Sequence, residues 1–266
     1  MLRKLMSAFL AAIYILSVVV STVYTAQSVQ ATMLEREYLF YDDFENEISN
    51  TLPVKWQEDL NGAATVQVVK EDSNQFMRIE VGSISALPIV STKTGLMDVP
   101  FQNEERPVVV EAKMRTDGFS YRKTFRMGYP EDVNYADYGA NKYALFAFRE
   151  TPGRFYYTNG AYSPGKPNEI TKLDGYDGIE IKPGSWHHVK AIVYPSIRKI
   201  SYYLNGELIQ SKGISRFDLN SEEFSSLQSI CNLTLKWSGN TTLGQAEKLD
   251  VDDVKLYYGS VAEREE

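Results

Sequence analysis

Apolar and polar residues alternate along most of the chain, which is the pattern of half-buried β-strands. The alternating segments are rich in Val, Ile, Tyr and Phe, and Gly, Pro, Asn and Asp cluster between them. The Asn205-Gly206 pair, placed between two such segments, is typical of a two-residue type I′ hairpin turn. The pattern predicts an all-β fold, an antiparallel sandwich with short turns. The alternating segments are 106–116, 122–128, 142–149, 153–159, 185–194, 199–205, 230–237 and 248–258.

Residues 1–31 have a different pattern. A basic start precedes an almost unbroken apolar run from Ser7 to Val20, and small polar residues follow it. This layout is typical of a secretory signal peptide that is cleaved after Ala31. A single membrane anchor is the alternative, because the charge-free stretch is long enough to span a bilayer. We expect cleavage, and therefore a secreted or cell-envelope protein without stable membrane insertion.

The remainder of the chain reads as one domain. A sandwich over 36–259 is typical of a large all-β domain, and a charged tail follows over 260–266. The chain has 28 Lys and Arg against 35 Asp and Glu, so its net charge of −7 argues against nucleic-acid binding. It has one Cys, which excludes an internal disulfide, and two His, which argue against a His-rich metal site. Cys231 lies in an alternating segment and is expected to be buried.

Three parts of the chain together resemble the concanavalin A-like jelly roll, in particular its laminin-G-like branch. They are an opening strand, a Trp-His-His-Val strand followed by a Tyr-Leu-Asn-Gly strand, and a closing strand. The resemblance implies that the first and last strands pair, and that the protein is associated with carbohydrate. The same fold carries lectins, carbohydrate-binding modules, glycoside hydrolases and polysaccharide lyases, so it does not decide the activity. The segments are FYDDFE (40–45) with LPVKW (52–56), GSWHHVKAIV (184–193) with KISYYLNGEL (199–208), and LDVDDVKLY (249–257).

The retaining glucanases of this fold resemble one another in a Glu-x-Asp-x-(x)-Glu strand, which places two catalytic carboxylates on one face. The chain contains no such triplet. This argues against that hydrolase branch and leaves other carboxylate arrangements open.

Alternation also assigns polar side chains to an outer face. If the strands share one sheet, that face is basic and aromatic on an acidic protein, which favours an anionic glycan such as a uronate polymer. The other interpretation is an ordinary solvated face whose cations pair with carboxylates on neighbouring strands. The residues of the predicted face are Glu111, Lys113, Arg115, Arg126, Tyr143, Arg149, Arg154, Tyr156, His188, Lys190 and Lys236.

A long Tyr-rich connection over 129–141 adds Tyr135 and Tyr138 as candidate ring-stacking residues, with packing over the core as the alternative. His187 and His188 are adjacent, so on a strand they face opposite ways. His187 falls in the apolar register and is expected to lie in the core.

Carboxylates also cluster on the two end strands, at Asp43 and Glu45 and at Asp250, Asp252 and Asp253. If these strands pair, the cluster suits a structural Ca²⁺ ion. Cross-strand pairing with lysines is the alternative.

These observations predict a secreted glycan-binding domain for an acidic polysaccharide, with Lys113, Arg115, Arg126, Tyr135, Tyr138, Tyr143, Arg149, Tyr156 and Lys190 as binding residues. One alternative is a polysaccharide lyase, which the resemblance implies would use His188 with Tyr143, Tyr156 and Arg126. The other alternative is a structural or adhesive envelope protein, which needs no defined pocket.

Overall fold

The structure is a computed structural model that describes residues 37–60, 64–82, 88–93, 95–101, 104–118, 122–128, 142–149, 154–157, 179–209, 215–218, 229–238 and 246–260. The predicted signal peptide and residues 261–266 of the predicted tail lie outside these ranges. Within them, no helix has the length and apolar character that crossing a membrane requires.

The described residues form strands and one 3₁₀ turn, Pro195–Ile197. The strands are β1 (Tyr38–Asp42), β2 (Trp56–Asp59), β3 (Ala64–Glu71), β4 (Asn74–Val81), β5 (Ile89–Thr92), β6 (Val99–Pro100), β7 (Val108–Thr116), β8 (Arg122–Gly128), β9 (Lys142–Arg149), β10 (Arg154–Tyr157), β11 (Ile179–Glu180), β12 (His187–Tyr194), β13 (Lys199–Leu204), β14 (Glu207–Leu208), β15 (Phe217–Asp218), β16 (Ser229–Ile230), β17 (Asn232–Ser238) and β18 (Glu247–Tyr258).

Two antiparallel sheets account for most of these strands. Sheet A has nine strands in the order β14-β13-β12-β7-β18-β4-β3, with β1 beside β18 and β15 beside β13. Sheet B has seven strands in the order β11-β10-β9-β8-β17-β5-β2. Strands β6 and β16 form a separate pair. The predicted antiparallel sandwich is confirmed.

The apolar side chains of the two sheets pack against each other in one core. Val110 and Met114 of β7 in sheet A belong to the same buried cluster as Phe125 of β8 and Leu235 of β17 in sheet B. Each is fully buried, and burying a side chain of this size stabilises the fold by about 1.5–3 kcal/mol. The predicted inward faces of these strands are confirmed. Cys231 is also buried, as expected.

The turn between β13 and β14 has the predicted two-residue form. Asn205 and Gly206 have φ values of 52° and 85°, and Leu204 pairs with Glu207 across the turn. Positive φ at both central positions is the requirement of a type I′ turn.

The first and last described strands pair, as the resemblance implied. Tyr41 of β1 lies opposite Lys255 of β18, and β18 pairs along its other edge with β7. Between Asp252 and Lys255 the register shifts by a β-bulge, and Asp253 has a φ of 50°. The bulge interrupts strict alternation in β18, because Val251 before it and Val254 after it both lie in the buried core. Asp253, in the bulge, pairs with Lys113 of β7 and with Lys255.

Candidate functional site

A groove of about 490 Å³ opens on the outer face of sheet A. It lies where the β3–β4 hairpin meets β7, β18 and the residue that precedes β12. The hairpin contributes acidic and amide side chains, β7 contributes two cations, and the chain before β12 contributes an indole. The residues of this groove are Glu71, Asp72, Ser73, Asn74, Phe76, Lys113, Arg115, Trp186 and Asp252.

Two aromatic rings form one wall of the groove. Trp186 is half-buried, and its ring centre lies 5.4 Å from that of the buried Phe76 in an edge-to-face arrangement. The guanidinium carbon of Arg115 lies 4.7 Å from the ring centre of Trp186 and 5.0 Å from that of Phe76. Cation–π contact therefore holds the indole in place while part of it stays open to solvent.

Arg115 belongs to a closed network of two arginines and two carboxylates. Its Nε donates to Asp250 Oδ2 at 2.8 Å, and its Nη2 donates to Glu71 Oε2 at 2.8 Å. Arg78 donates to the other oxygens of the same carboxylates, at 2.7 Å to Asp250 Oδ1 and 2.9 Å to Glu71 Oε1. Hydrogen bonds from Arg115 and Arg78 keep the pKa of Glu71 below its usual value.

The groove is also lined by a lysine that has its own carboxylate partner. Lys113 Nζ lies 2.6 Å from Asp253 Oδ2, and Lys255 Nζ lies 3.7 Å from Asp253 Oδ1. Burial opposes ionisation of Asp253, but the hydrogen bond and charge of Lys113 and the charge of Lys255 outweigh it and lower its pKa. Asp252 accepts a hydrogen bond from Asn74 at 3.2 Å, and burial raises its pKa.

Two further predicted residues lie on sheet A, outside the groove. His188 Nε2 lies 3.1 Å from Glu111 Oε2, and Lys190 Nζ lies 5.4 Å from the ring centre of Tyr203. Burial opposes ionisation of Glu111, but the hydrogen bond of His188 and the charges of Lys255 and Lys190 leave its pKa lowered. The cations of this face alternate with carboxylates across the strands, so the described part of the face is not basic.

The predicted polar face required its strands to share one sheet, and they do not. Strands β7 and β12, with Lys113, Arg115, His188 and Lys190, belong to sheet A, whereas β8, β9, β10 and β17 belong to sheet B. The physical reason is that β7 pairs with β12 and β18, and β8 pairs with β9 and β17, so the two groups lie on opposite sides of the core.

The proposed lyase residues are not brought together. Arg126 lies on β8, where its Nε donates to Thr124 Oγ1 at 3.1 Å, and His188 lies on β12 of the other sheet. Tyr143, Arg149 and Tyr156 lie on β9 and β10 of sheet B, and their side chains lie outside the described residues. Tyr135 and Tyr138 also lie outside the described part of the chain.

The carboxylates suggested for calcium have protein partners in this structure, and the calcium site stays a prediction. Asp250 and Asp253 are each neutralised by two cationic side chains, and Glu45 accepts a hydrogen bond from the Gln75 backbone N–H at 3.0 Å. Asp43 accepts from the Tyr41 hydroxyl at 2.9 Å. Among the described residues, no group of three or more His, Cys, Asp and Glu side chains is placed to hold a metal.

Sequence reasoning missed the aromatic and hairpin residues of the groove. Trp186 shares a register with the polar residues His188 and Lys190, and Phe76 shares one with Arg78. A large aromatic side chain in the polar register of a strand is the signal that could have identified both.

No family model and no curated protein matches the chain. Its structure is similar to an endo-1,3-β-glucanase from Streptomyces sioyaensis, at 16% identity and a TM-score of 0.58, over 84% of this chain and 96% of that one. It is also similar to a structure from work on endo-acting O-glycanases that prominent members of the human gut microbiota express to initiate mucin breakdown, at 15% identity and a TM-score of 0.56, over 84% and 100% of the two chains.

A sialidase is similar at 11% identity and a TM-score of 0.53, over 82% of this chain but only 18% of the sialidase. At these identities the similarity concerns the fold alone. Together with the two packed antiparallel sheets and the paired end strands, it shows that the chain has the concanavalin A-like jelly-roll fold.

Proposed function

We propose that this chain is a non-catalytic glycan-binding domain and that the groove beside Trp186 is its binding site. The observation that carries the proposal is the half-exposed indole set beside amide, carboxylate and cationic side chains in one groove. A sugar ring presents an apolar face that packs on an aromatic ring, and its hydroxyl groups bond to planar polar side chains. Asn74, Asp72 and Asp252 supply such groups next to Trp186.

The charges of the groove support an uncharged glycan rather than a polyuronate. Lys113 and Arg115 are each paired with carboxylates at 2.6–2.8 Å, and three carboxylates line the same groove. A polyanion would have to compete with these carboxylates for the two cations. An acidic polysaccharide, which the sequence favoured, therefore becomes a comparison ligand in the test.

The names of the similar structures also support a carbohydrate partner, since they include a β-glucanase and mucin O-glycanases. A fold shared with enzymes is not itself a reason to propose catalysis. In the described part of the chain, the lyase candidates His188 and Arg126 lie on opposite sheets, which favours binding over lyase chemistry.

A glycan array that contains neutral β-glucans, mucin O-glycans and polyuronates tests this proposal. We expect the protein to bind neutral glycans, and Trp186→Ala to weaken that binding at least about tenfold, as for a buried aromatic contact. Ile197→Ala, at an apolar side chain that is 50% exposed in the 3₁₀ turn, is the matched control.

An absence of binding to every glycan would overturn the proposal and favour a structural or adhesive role. Formation of unsaturated uronate products, detected by their absorbance, would instead establish the lyase alternative.

A further inference from the structure

Two tyrosines form an exposed stack on β1, outside the groove. Tyr38 and Tyr41 are 42% and 36% exposed, and their ring centres lie 5.1 Å apart with an interplanar angle of 24°. Exposed aromatic surface of this kind loses unfavourable contact with water when a ligand covers it. We name this pair the tyrosine platform.

Neighbouring side chains hold the tyrosine platform in place. Tyr38 meets the buried Tyr257 edge to face, with ring centres 5.8 Å apart. The Tyr41 hydroxyl donates to Asp43 Oδ2 at 2.9 Å, and Lys255 Nζ lies 5.6 Å from the Tyr41 ring centre. The rings are therefore fixed before any ligand arrives, which lowers the entropic cost of binding.

The tyrosine platform is continuous with the groove. Lys255, which contacts Tyr41, also lies 3.7 Å from Asp253 Oδ1, and the other oxygen of Asp253 lies 2.6 Å from Lys113 Nζ. Lys113 lines the groove. One row of charged side chains thus leads across sheet A from the stacked tyrosines to Lys113 in the groove.

We propose that the tyrosine platform is a second sugar-binding subsite, and that the ligand is an uncharged glycan chain that extends from the Trp186 groove to Tyr41. This inference rests on the proposed function, because it requires the groove to bind sugar. Between the two aromatic sites, Lys113 and Lys255 are balanced by Asp253 and by Asp43, which bonds to Tyr41. These groups offer hydrogen bonds to sugar hydroxyls without a net charge that would select an anion. Two separate aromatic contacts favour a chain of several sugar units over a single terminal sugar.

The test measures affinity against chain length by calorimetry, with neutral β-1,3-glucan and mucin O-glycan oligosaccharides from disaccharide to hexasaccharide. We expect the wild-type protein to bind the longest oligosaccharides at least about tenfold more tightly than the disaccharide. The double variant Tyr38→Ala with Tyr41→Ala should lose this gain and keep the disaccharide affinity. Trp186→Ala should weaken binding of short and long oligosaccharides alike.

Two further variants guard against a change in folding. Tyr41→Phe keeps the ring and removes the hydroxyl that bonds to Asp43, so it should retain the gain with chain length. Ile197→Ala should behave as the wild type.

The outcomes separate this inference from the proposed function. Binding that does not depend on chain length, or that the double tyrosine variant leaves unchanged, would overturn the second subsite while the groove stands. If no oligosaccharide binds and no glycan on the array binds, both the second subsite and the proposed function are overturned.

Discussion

Two ion-pair clusters hold carboxylates of β18, and they differ in the exposure of their cations. On the outer face of sheet A, Asp250 accepts from Arg78 and Arg115, whose side chains remain 16% and 18% exposed. Between the sheets, Lys123 of β8 pairs with Glu247, and their side chains are 0% and 3% exposed. Water or a ligand can replace a hydrogen-bond partner in the Asp250 cluster, because its arginines are partly exposed. Neither can reach the buried Lys123–Glu247 pair.

The buried pair also connects the two sheets. Lys123 Nζ donates to the carbonyl of Gly118 at 2.7 Å and lies 5.7 Å from the ring centre of Trp237. Burial lowers the pKa of Lys123, although the charge of Glu247 opposes this. The same type of ion pair therefore holds the two sheets together in one place and lies on a ligand-accessible surface in the other.

The largest expected effect follows from breaking the buried pair. Lys123→Met removes the cation that pairs with the buried Glu247 carboxyl, so the free energy of unfolding should fall by about 3–5 kcal/mol in urea titrations. The double variant Lys123→Met with Glu247→Leu should recover most of this loss, because an apolar pair needs no charge compensation. A single-variant loss no greater than that of an exposed ion pair would contradict the comparison.

Breaking the surface cluster should cost less. Asp250→Asn keeps the shape of the side chain but removes the charge that Arg78 and Arg115 share, so we expect a loss of about 1–3 kcal/mol. Asp253→Asn, at a carboxylate that is 23% exposed, is the matched control and should cost less than about 1 kcal/mol. Equal losses for Asp250→Asn and Lys123→Met would show that burial does not distinguish the clusters.

His187 is a buried titratable group that differs from both clusters, because it lies beside an amide rather than a carboxylate. Asn205 Oδ1 accepts a hydrogen bond from the His188 backbone N–H at 3.0 Å. This orients the Asn205 Nδ2 group toward His187 Nδ1, at 3.3 Å. An Nδ2 donor at Nδ1 favours the neutral form of the His187 imidazole. Burial lowers the pKa of His187, so the unfolded chain takes up a proton at higher pH than the folded protein does.

The contribution of His187 to stability is therefore present above the unfolded pKa of about 6.5 and declines as pH falls below it. Urea midpoints measured across this range should decrease with falling pH in the wild type. His187→Asn removes the titrating group, so the decrease should be smaller in that variant, and an identical slope would refute the assignment.

The smallest effect is expected from chelation. Because paired cations already neutralise Asp250 and Asp253, EDTA should leave the melting temperature unchanged. A decrease that added Ca²⁺ reverses would instead establish the calcium site that the clustered carboxylates suggested.

Local features of this fold could be predicted from the sequence, and partnerships between distant strands could not. Alternation places Phe125 inward and Thr124 outward whichever strand lies beside β8, so it predicts faces but not sheets. The Asn205-Gly206 turn was predictable because its backbone requirement is local. The groove was not, because it joins the β3–β4 hairpin to Trp186 and Arg115, which lie far apart along the chain.

Strand β18 pairs with β7 on one edge and with β4 and β1 on the other. The sheet contacts of β1, near the start of the described residues, therefore depend on β18, near their end. During synthesis, sheet A cannot close until residue 258 has left the ribosome. Such long-range pairing also makes folding slow, because chain entropy is lost before the contacts that offset it form. A chaperone or another folding factor would therefore have the most time to act on this protein before β18 pairs with β1 and β4.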